Sequence, residues 1–252
     1  MTDVDRQGTG TGTSQRVALV TGSSSGIGAE VARRLAAEGM HVYVNSRASV
    51  AAGRAVVAEI GGTYVQADVG DPLSAQALVD QVVDAHGRLD VLVNNAGTTR
   101  VIPHDQLAAA TPEVWRELFE VNCIAPFVLV TAAERVLRAA APGCVVNVSS
   151  LAGVRPVGSS IPYAASKAAL NHTTRLLARA LGPQVRVNAV APGLVDTPWT
   201  EDWDDARAFV QQNAPLRRSA TPADVAEVVL GLIRADYVTG EVVVVDGGLG
   251  LN

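Results

Sequence analysis

The sequence predicts one α/β domain: a doubly wound, seven-stranded parallel sheet with helices on both faces. Three features lead there. Seven short apolar runs, rich in valine, recur along the chain; runs that are apolar throughout suit strands buried on both faces of a parallel sheet. Stretches of helical period separate them, and such alternation specifies a parallel sheet with its crossovers on either side. The first run also breaks into a glycine-rich turn directly before the first helical stretch, where ligands bind on sheets of this kind.

The elements follow in order. A strand over residues 16–21 stops at Gly22. The helix over residues 29–38 places Val31, Ala32 and Leu35 on one face and ends at Gly39, a residue suited to helix termination. A second strand spans residues 41–45, a helix residues 50–60 and a third strand residues 63–67. Pro72 opens a helix reaching about residue 86, where its missing N–H costs nothing. The fourth strand covers residues 90–94. A long helical stretch starts at Thr111-Pro-Glu113 and reaches about residue 141, broken or kinked near Pro126. Strand five spans residues 144–149, a helix residues 163–181 and strand six residues 185–190. A last helix, over about residues 223–234, precedes strand seven at residues 241–246.

Composition sets the boundaries. A length of 252 residues fits one core, since single cores stop growing at roughly 250–300 residues. With 48% hydrophobic and 18% charged residues the chain is not disordered. A net charge of −5 argues against a dedicated nucleic-acid binder. No run reaches the roughly 18 apolar residues of a membrane span. Residues 1–15 lack an apolar stretch and read as a flexible leader to a domain over residues 16–252. Cys123 and Cys144 imply no disulfide framework and fit a reducing cytoplasm. The scattered histidines and cysteines offer no metal-ligand spacing.

The turn after strand one reads Thr21-Gly-Ser-Ser-Ser-Gly-Ile-Gly28. Gly22 permits a tight turn, Gly26 lets backbone approach a diphosphate, and Gly28 lets the helix pack closely on the sheet. The helix N-terminus adds free N–H groups and partial positive charge for phosphates. With the threonine before it, this Gly-x-x-x-Gly-x-Gly spacing resembles the short-chain dehydrogenase/reductase family. The resemblance implies a Rossmann-type fold and a nicotinamide dinucleotide held by Gly22, Ser24, Ser25, Gly26, Ile27 and Gly28.

An acidic residue ending strand two would bind the adenosine ribose and repel a 2′-phosphate. Here the strand ends Val44-Asn-Ser-Arg47, with no carboxylate. Arg47 offers a planar fork of donors and Ser46 a hydroxyl. By resemblance to NADP-preferring members, NADP(H) is favoured and NAD(H) is the alternative. The same resemblance places Asp68 on the adenine amino group and Val69 on the ring. It reads Asn94-Asn-Ala-Gly97, with Asn95, Ala96 and Gly97, as the element that braces the sheet and passes the ribose. Asp68 is alternatively a cap for the helix opened by Pro72.

Tyr163-Ala-Ala-Ser-Lys167 sets a phenol and an amine one helical turn apart on one face. An ammonium ~4 Å from a phenol interacts by roughly 4 kcal/mol at an effective dielectric of ~20. That lowers a phenol pKa of ~10 by three units or so at most, with desolvation opposing. A phenol poised near neutrality serves as acid toward a carbonyl or base toward an alcohol. Ser150 lies thirteen residues before Tyr163 at a strand end, where its hydroxyl can hold a substrate oxygen; Ser149 competes, and the family spacing selects Ser150. Asn122, four residues before Pro126, matches the family's helix-breaking asparagine, which holds a relay water beside the lysine. Asn188-Ala-Val-Ala-Pro-Gly-Leu-Val-Asp-Thr197 resembles the family's Pro-Gly segment, with Pro192, Gly193 and Val195 walling the nicotinamide and Thr197 on its carboxamide. Thr239-Gly240 and Asp246-Gly-Gly248 resemble its usual ending.

The resemblance therefore implies hydride transfer between a nicotinamide and a ketone or secondary alcohol, with Tyr163 as general acid/base. Residues 198–207 form an expected lid, with Trp199 and Trp203 as walls and four carboxylates, at 201, 202, 204 and 205, that disfavour a strongly anionic substrate. Residues 152–161 form the other wall, apolar apart from Arg155. A neutral, moderately hydrophobic ketone suits both. A 3-oxoacyl-thioester reductase is the alternative, although Ala141 and Gln184 stand where carrier-protein reductases have arginines; Arg138, Arg175 and Arg179 are possible substitutes. An epimerase of the extended branch lacks room for its second domain, and a non-catalytic sensor would have lost the tyrosine, serine or lysine. His172 falls about 140° around the helix from Lys167 and points away. The family pairs its long helices into dimers and joins tetramers through the last strand, where Val242–Val245 permits it.

Overall fold

The computed structural model describes residues 15–251. Along them run β1 (Val17–Val20), α1 (Gly26–Ala37), β2 (His41–Ser46), α2 (Val50–Ile60), β3 (Thr63–Gln66), α3 (Pro72–His86), β4 (Val91–Asn94), α4 (Pro112–Phe119), α5 (Ala125–Ala139), β5 (Gly143–Val148), α6 (Ile161–Leu181), β6 (Val185–Pro192), α7 (Asp204–Asn213), α8 (Pro222–Arg234) and β7 (Val242–Val245). The leader expected over residues 1–15 lies outside the described residues apart from Gln15, whose amide donates to the Gly39 carbonyl.

The strands pair in parallel in the order β3-β2-β1-β4-β5-β6-β7. From β1 the chain moves outward through β2 and β3, then returns to the other side of β1 with β4. This reversal opens a crevice beyond the carboxyl ends of β1 and β4. Alternation along each strand divides the core between the two faces. Val17 and Leu19 pack with Leu78, Leu92 and Leu129 on one side; Ala18 and Val20 pack with Val31, Leu35 and Val93 on the other. Leu35 and Leu129 are fully buried, and each such side chain contributes roughly 1.5–3 kcal/mol.

Helix ends follow local chemistry. Asp71 caps α3 by accepting from Ser74 N at 3.2 Å, with Pro72 in the first turn. Asp68 is therefore not the cap of that helix. Gly61 and Gly87 end α2 and α3 in the left-handed region, both at φ 67°. Ser160 caps α6 by accepting from Tyr163 N at 3.3 Å, which fixes the first turn that carries the tyrosine.

Two departures from expectation bear on the site. The stretch from residue 112 is three pieces, because a π-helical turn, Glu120–Ile124, separates α4 from α5. The extra residue is absorbed just before Pro126, which has no N–H for the carbonyl of Asn122. The expected lid contains a short turn, Pro198–Thr200, followed by a full helix, α7, that the sequence reading stopped short of. Ala206, Phe209 and Val210 stand at helical spacing on the side of α7 that lines the cavity, although only Val210 is buried. Asp204 and Asp205 in its first turn favour the helix dipole.

Candidate active site

One cavity of about 1140 Å³ runs along the carboxyl edge of the sheet, from the glycine turn and the end of β2 to α7. Its floor is made by two interlocked loops. Thr21 Oγ1 accepts from Asn95 N and Ala96 N, both at 3.1 Å. The Asn95 side-chain amide donates to Thr21 O and Gly22 O, both at 2.9 Å. Gly22 and Gly26 have φ of 60° and 56°, a region only glycine enters at no steric cost. A Cβ on Gly28 would sit 2.4 Å from Asn95 Nδ2 and 2.8 Å from Gly22 O. Gly28, in the first turn of α1, thus lets the helix start pack against the loops that follow β1 and β4.

Gly22, Ser25, Gly26 and Ile27 line the cavity, whereas Ser24 and Gly28 do not. Ser25 precedes α1 without using its hydroxyl as a cap, so the free N–H groups of this helix start open toward the cavity. Asn95, Ala96 and Gly97 lie beside them. At the β2 end, Ser46, Arg47, Asp68 and Val69 line the wall. The Arg47 guanidinium is 74% exposed and stands 3.9 Å from Asp68, a contact worth little in solvent. Ser46 Oγ is hydrogen-bonded to Tyr64 OH at 2.8 Å.

At the other end Ser150, Tyr163 and Lys167 converge on the cavity. Both hydroxyl-bearing side chains line the cavity, and the Ser150 hydroxyl acts to favour the Tyr163 phenolate. Ser149 also lines the cavity, but it donates its hydroxyl to Lys167 O at 3.3 Å. Lys167 is buried; its ammonium donates to Val148 O at 2.9 Å and lies 6.0 Å from the Tyr163 ring centroid. Asn122 lies one layer back, in the π-turn. Its side chain accepts from Thr98 N and donates to Thr98 O, both at 2.9 Å, and donates to Ser166 Oγ at 3.1 Å. The amide is consumed in bracing, leaving only its backbone for a water.

Electrostatics corrects one expectation. Burial pushes the Tyr163 phenol up, while the Ser150 hydrogen bond pulls it down. Burial also lowers the Lys167 ammonium to about 8. The amine therefore does not bring the phenol to neutrality in the protein by itself: it is committed to the Val148 carbonyl, and burial is the largest influence on the phenol.

Pro192, Gly193, Val195 and Thr197 line the cavity after β6, and the Thr197 methyl approaches Gly26 so closely that a Cβ there would be 3.2 Å away. Trp199, Trp203 and Phe209 close the substrate end, facing Val101 and Val157. Phe209 and Val101 were not foreseen, because neither stands in a recognisable motif. Arg155 lies at the rim, donating to Gly250 O at 2.9 Å. His172 is exposed and does not line the cavity. Among the described residues no group of three metal-ligating side chains occurs, and no helix is long and apolar enough to cross a membrane.

A glycine-rich switch-point crevice ending in a serine, a tyrosine and a buried lysine is the arrangement of a dinucleotide-dependent oxidoreductase. The family profile described as enoyl-(acyl carrier protein) reductase matches residues 22–250. The chain belongs to the short-chain dehydrogenase/reductase family. It is 58% identical over 236 residues to a ketoacyl reductase assigned to the granaticin polyketide synthase of Streptomyces violaceoruber, covering 92% of this chain and 95% of that one. Its fold matches a short-chain dehydrogenase/reductase structure from Burkholderia xenovorans with a TM-score of 0.88 and 38% identity, covering 95% and 100% of the chains. It also matches the structure of ElxO with NADP bound, with a TM-score of 0.87 and 26% identity over 94% and 100%.

Proposed function

We propose that the protein is an NADPH-dependent ketone reductase. The observation that carries this is the convergence of Ser150, Tyr163 and the buried Lys167 in the cavity that begins at the glycine turn. The residues present fit a dinucleotide: two left-handed glycines, an uncapped helix start and a cavity exceeding the roughly 300–1,000 Å³ of drug-sized pockets. When bound, the nicotinamide supplies the hydride. Ser150 orients the substrate oxygen, Tyr163 gives it a proton, Lys167 presents its ammonium beneath, and the Asn122 backbone holds the relay water.

Support for the phosphorylated cofactor comes from the missing carboxylate at the end of β2 and from the exposed Arg47 guanidinium beside it. The neighbour with NADP bound agrees with that reading. The substrate is a neutral ketone on a broad apolar frame, because the lid presents three aromatic rings and only rim charges. A carrier-bound 3-oxoacyl thioester is the weaker fit: Arg138 spends its guanidinium on Ala180 O, Leu181 O, Gln184 and Glu134. The protein works in the cytoplasm as a homo-oligomer, dimer or tetramer. The exposed Phe127 and Leu176 and the outermost position of β7 support this.

NADPH consumption against a panel of mono- and bicyclic ketones tests the reading, with NADH run in parallel. Turnover by the protein that persists in Tyr163→Phe would refute it.

A further inference from the structure

Ser150 stands on very little structure of its own. It follows β5 by two residues and caps a single turn, Leu151–Gly153, in which Ser150 Oγ accepts from Ala152 N at 3.2 Å and Gly153 N donates to Ser150 O at 2.9 Å. What holds that turn is α6, the helix that carries Tyr163 and Lys167. Before Ser150, the Ser149 hydroxyl is bonded to Lys167 O. After it, Gly153 is pressed onto α6: a Cβ there would lie 2.7 Å from the Lys167 carbonyl carbon and 2.8 Å from Asn171 Nδ2. Asn171, one helical turn beyond Lys167 and 4% exposed, donates Nδ2 to Gly153 O at 3.0 Å.

The other polar atom of this side chain is unusual. Asn171 Oδ1 is buried without a hydrogen-bond partner. An unpaired buried carbonyl is costly, and a leucine of similar size would fill the same space without it. Packing alone therefore does not account for an asparagine here; the bond to Gly153 does.

We propose that Asn171 is a positioning residue, whose side-chain amide locks the Ser150 turn onto α6 and so fixes the Ser150 hydroxyl relative to that of Tyr163. The inference rests on the reductase reading above. A displacement of about 1 Å in such a constellation costs on the order of 10²-fold in rate. The charged or titratable groups around Tyr163 are Lys167 and, behind it, Cys123. Neither side chain is bonded to that of Asn171, whose amide goes to Gly153 O, so Ser150 is the group through which Asn171 acts.

The test compares Asn171→Leu and Asn171→Ser with the parent protein. Expected in Asn171→Leu is a kcat lowered on the order of tenfold or more, with KM for NADPH and the melting temperature nearly unchanged. Ultraviolet titration of the phenolate, taken as the difference from Tyr163→Phe, moves upward by up to about one pH unit, because the Ser150 hydroxyl that favours the phenolate is displaced. Asn171→Ser leaves room for a water to reach Gly153 O and recovers part of kcat. If Asn171→Leu does not fold, the serine variant and its titration decide. A parental phenolate titration together with parental kcat in either folded variant overturns the proposal. Loss of turnover in Tyr163→Phe checks the reductase reading separately; if the parent reduces no ketone, that reading fails while the titration still decides the role of Asn171.

Discussion

The Lys167 ammonium is bonded to the Val148 carbonyl at 2.9 Å and stands 6.0 Å from the centre of the Tyr163 ring. The amine is anchored to the end of β5 rather than to the phenol, so its influence on Tyr163 acts through space. Ionising Tyr163 consequently needs more than this lysine, and the positive charge of an oxidised nicotinamide is the natural addition.

Tyr163→Phe removes the proton donor and leaves the ring. Ketone reduction falls by about 10²–10⁴-fold, the usual range for a lost general acid, while NADPH affinity changes little. Stopped-flow or steady-state absorbance of NADPH, with calorimetric titration of the cofactor, measures both.

Lys167 has a sign that can be checked. Its folded pKa, about 8, lies below the unfolded value of ~10.4. The unfolded chain therefore binds more protons between those values, and this group adds stability as pH rises from about 8 toward ~10.4. The effect is the difference between urea stabilities of the protein and Lys167→Met at two pH values, since Cys144, raised to about 11 by burial, works in the opposite direction. Equal pH slopes in the two proteins would contradict it.

Gly28→Ala forces a methyl against the Asn95 amide and the Gly22 carbonyl. Overpacking of this kind costs about 1–3 kcal/mol, and here it pushes apart the two loops that cradle the dinucleotide. Urea denaturation should show the loss, and NADPH binding should weaken alongside it. A stable variant with undiminished NADPH binding would mean that the loops yield easily.

Arg47→Ala separates the two nicotinamide cofactors. A charged hydrogen bond to a phosphate is worth about 1.5–3 kcal/mol, so the dissociation constant for NADPH rises roughly ten- to a hundredfold. That for NADH stays where it was. Parallel titrations give the ratio directly.

Trp199→Ala and Phe209→Ala remove two exposed rings from the substrate end, 49% and 58% accessible. With 2-tetralone as substrate, kcat/KM drops about tenfold or more in each, in keeping with about 1–3 kcal/mol for lost apolar contact. Cyclohexanone, too small to span both rings, is affected far less. Equal losses for the two ketones would show that the lid does not read ring size.

Much of this was legible in the residues because strand and helix periods are local. The helix bounds Val50–Ile60 and Pro72–His86 coincide with those expected, since glycine and proline mark their ends. Tyr163, Lys167 and Ser150 were found from spacing and strand-end position. What escaped depends on tertiary surroundings. The register change at Glu120–Ile124 looks like ordinary helix in the sequence, and the apolar side of α7 is only three residues, Ala206, Phe209 and Val210, which line a cavity rather than a core. The lowered Lys167 and raised Tyr163 are products of burial, which no spacing reveals. Asn171 gave no signal at all: one asparagine in a helix is unremarkable until its partner, Gly153 O, arrives from another part of the chain.

Arg207 gathers the carboxylates of Asp196 and Asp204 with the carbonyls of Thr200 and Glu201. All of these partners lie within the stretch leading into α7, so the canopy is knotted mainly to itself. The nucleotide berth, by contrast, is woven from Thr21, Asn45 and Asn95 across three strands. One part of the molecule is tailored independently of the other: residues 198–213 can be exchanged for a differently shaped insert, giving a reductase with a new appetite and an old coenzyme habit.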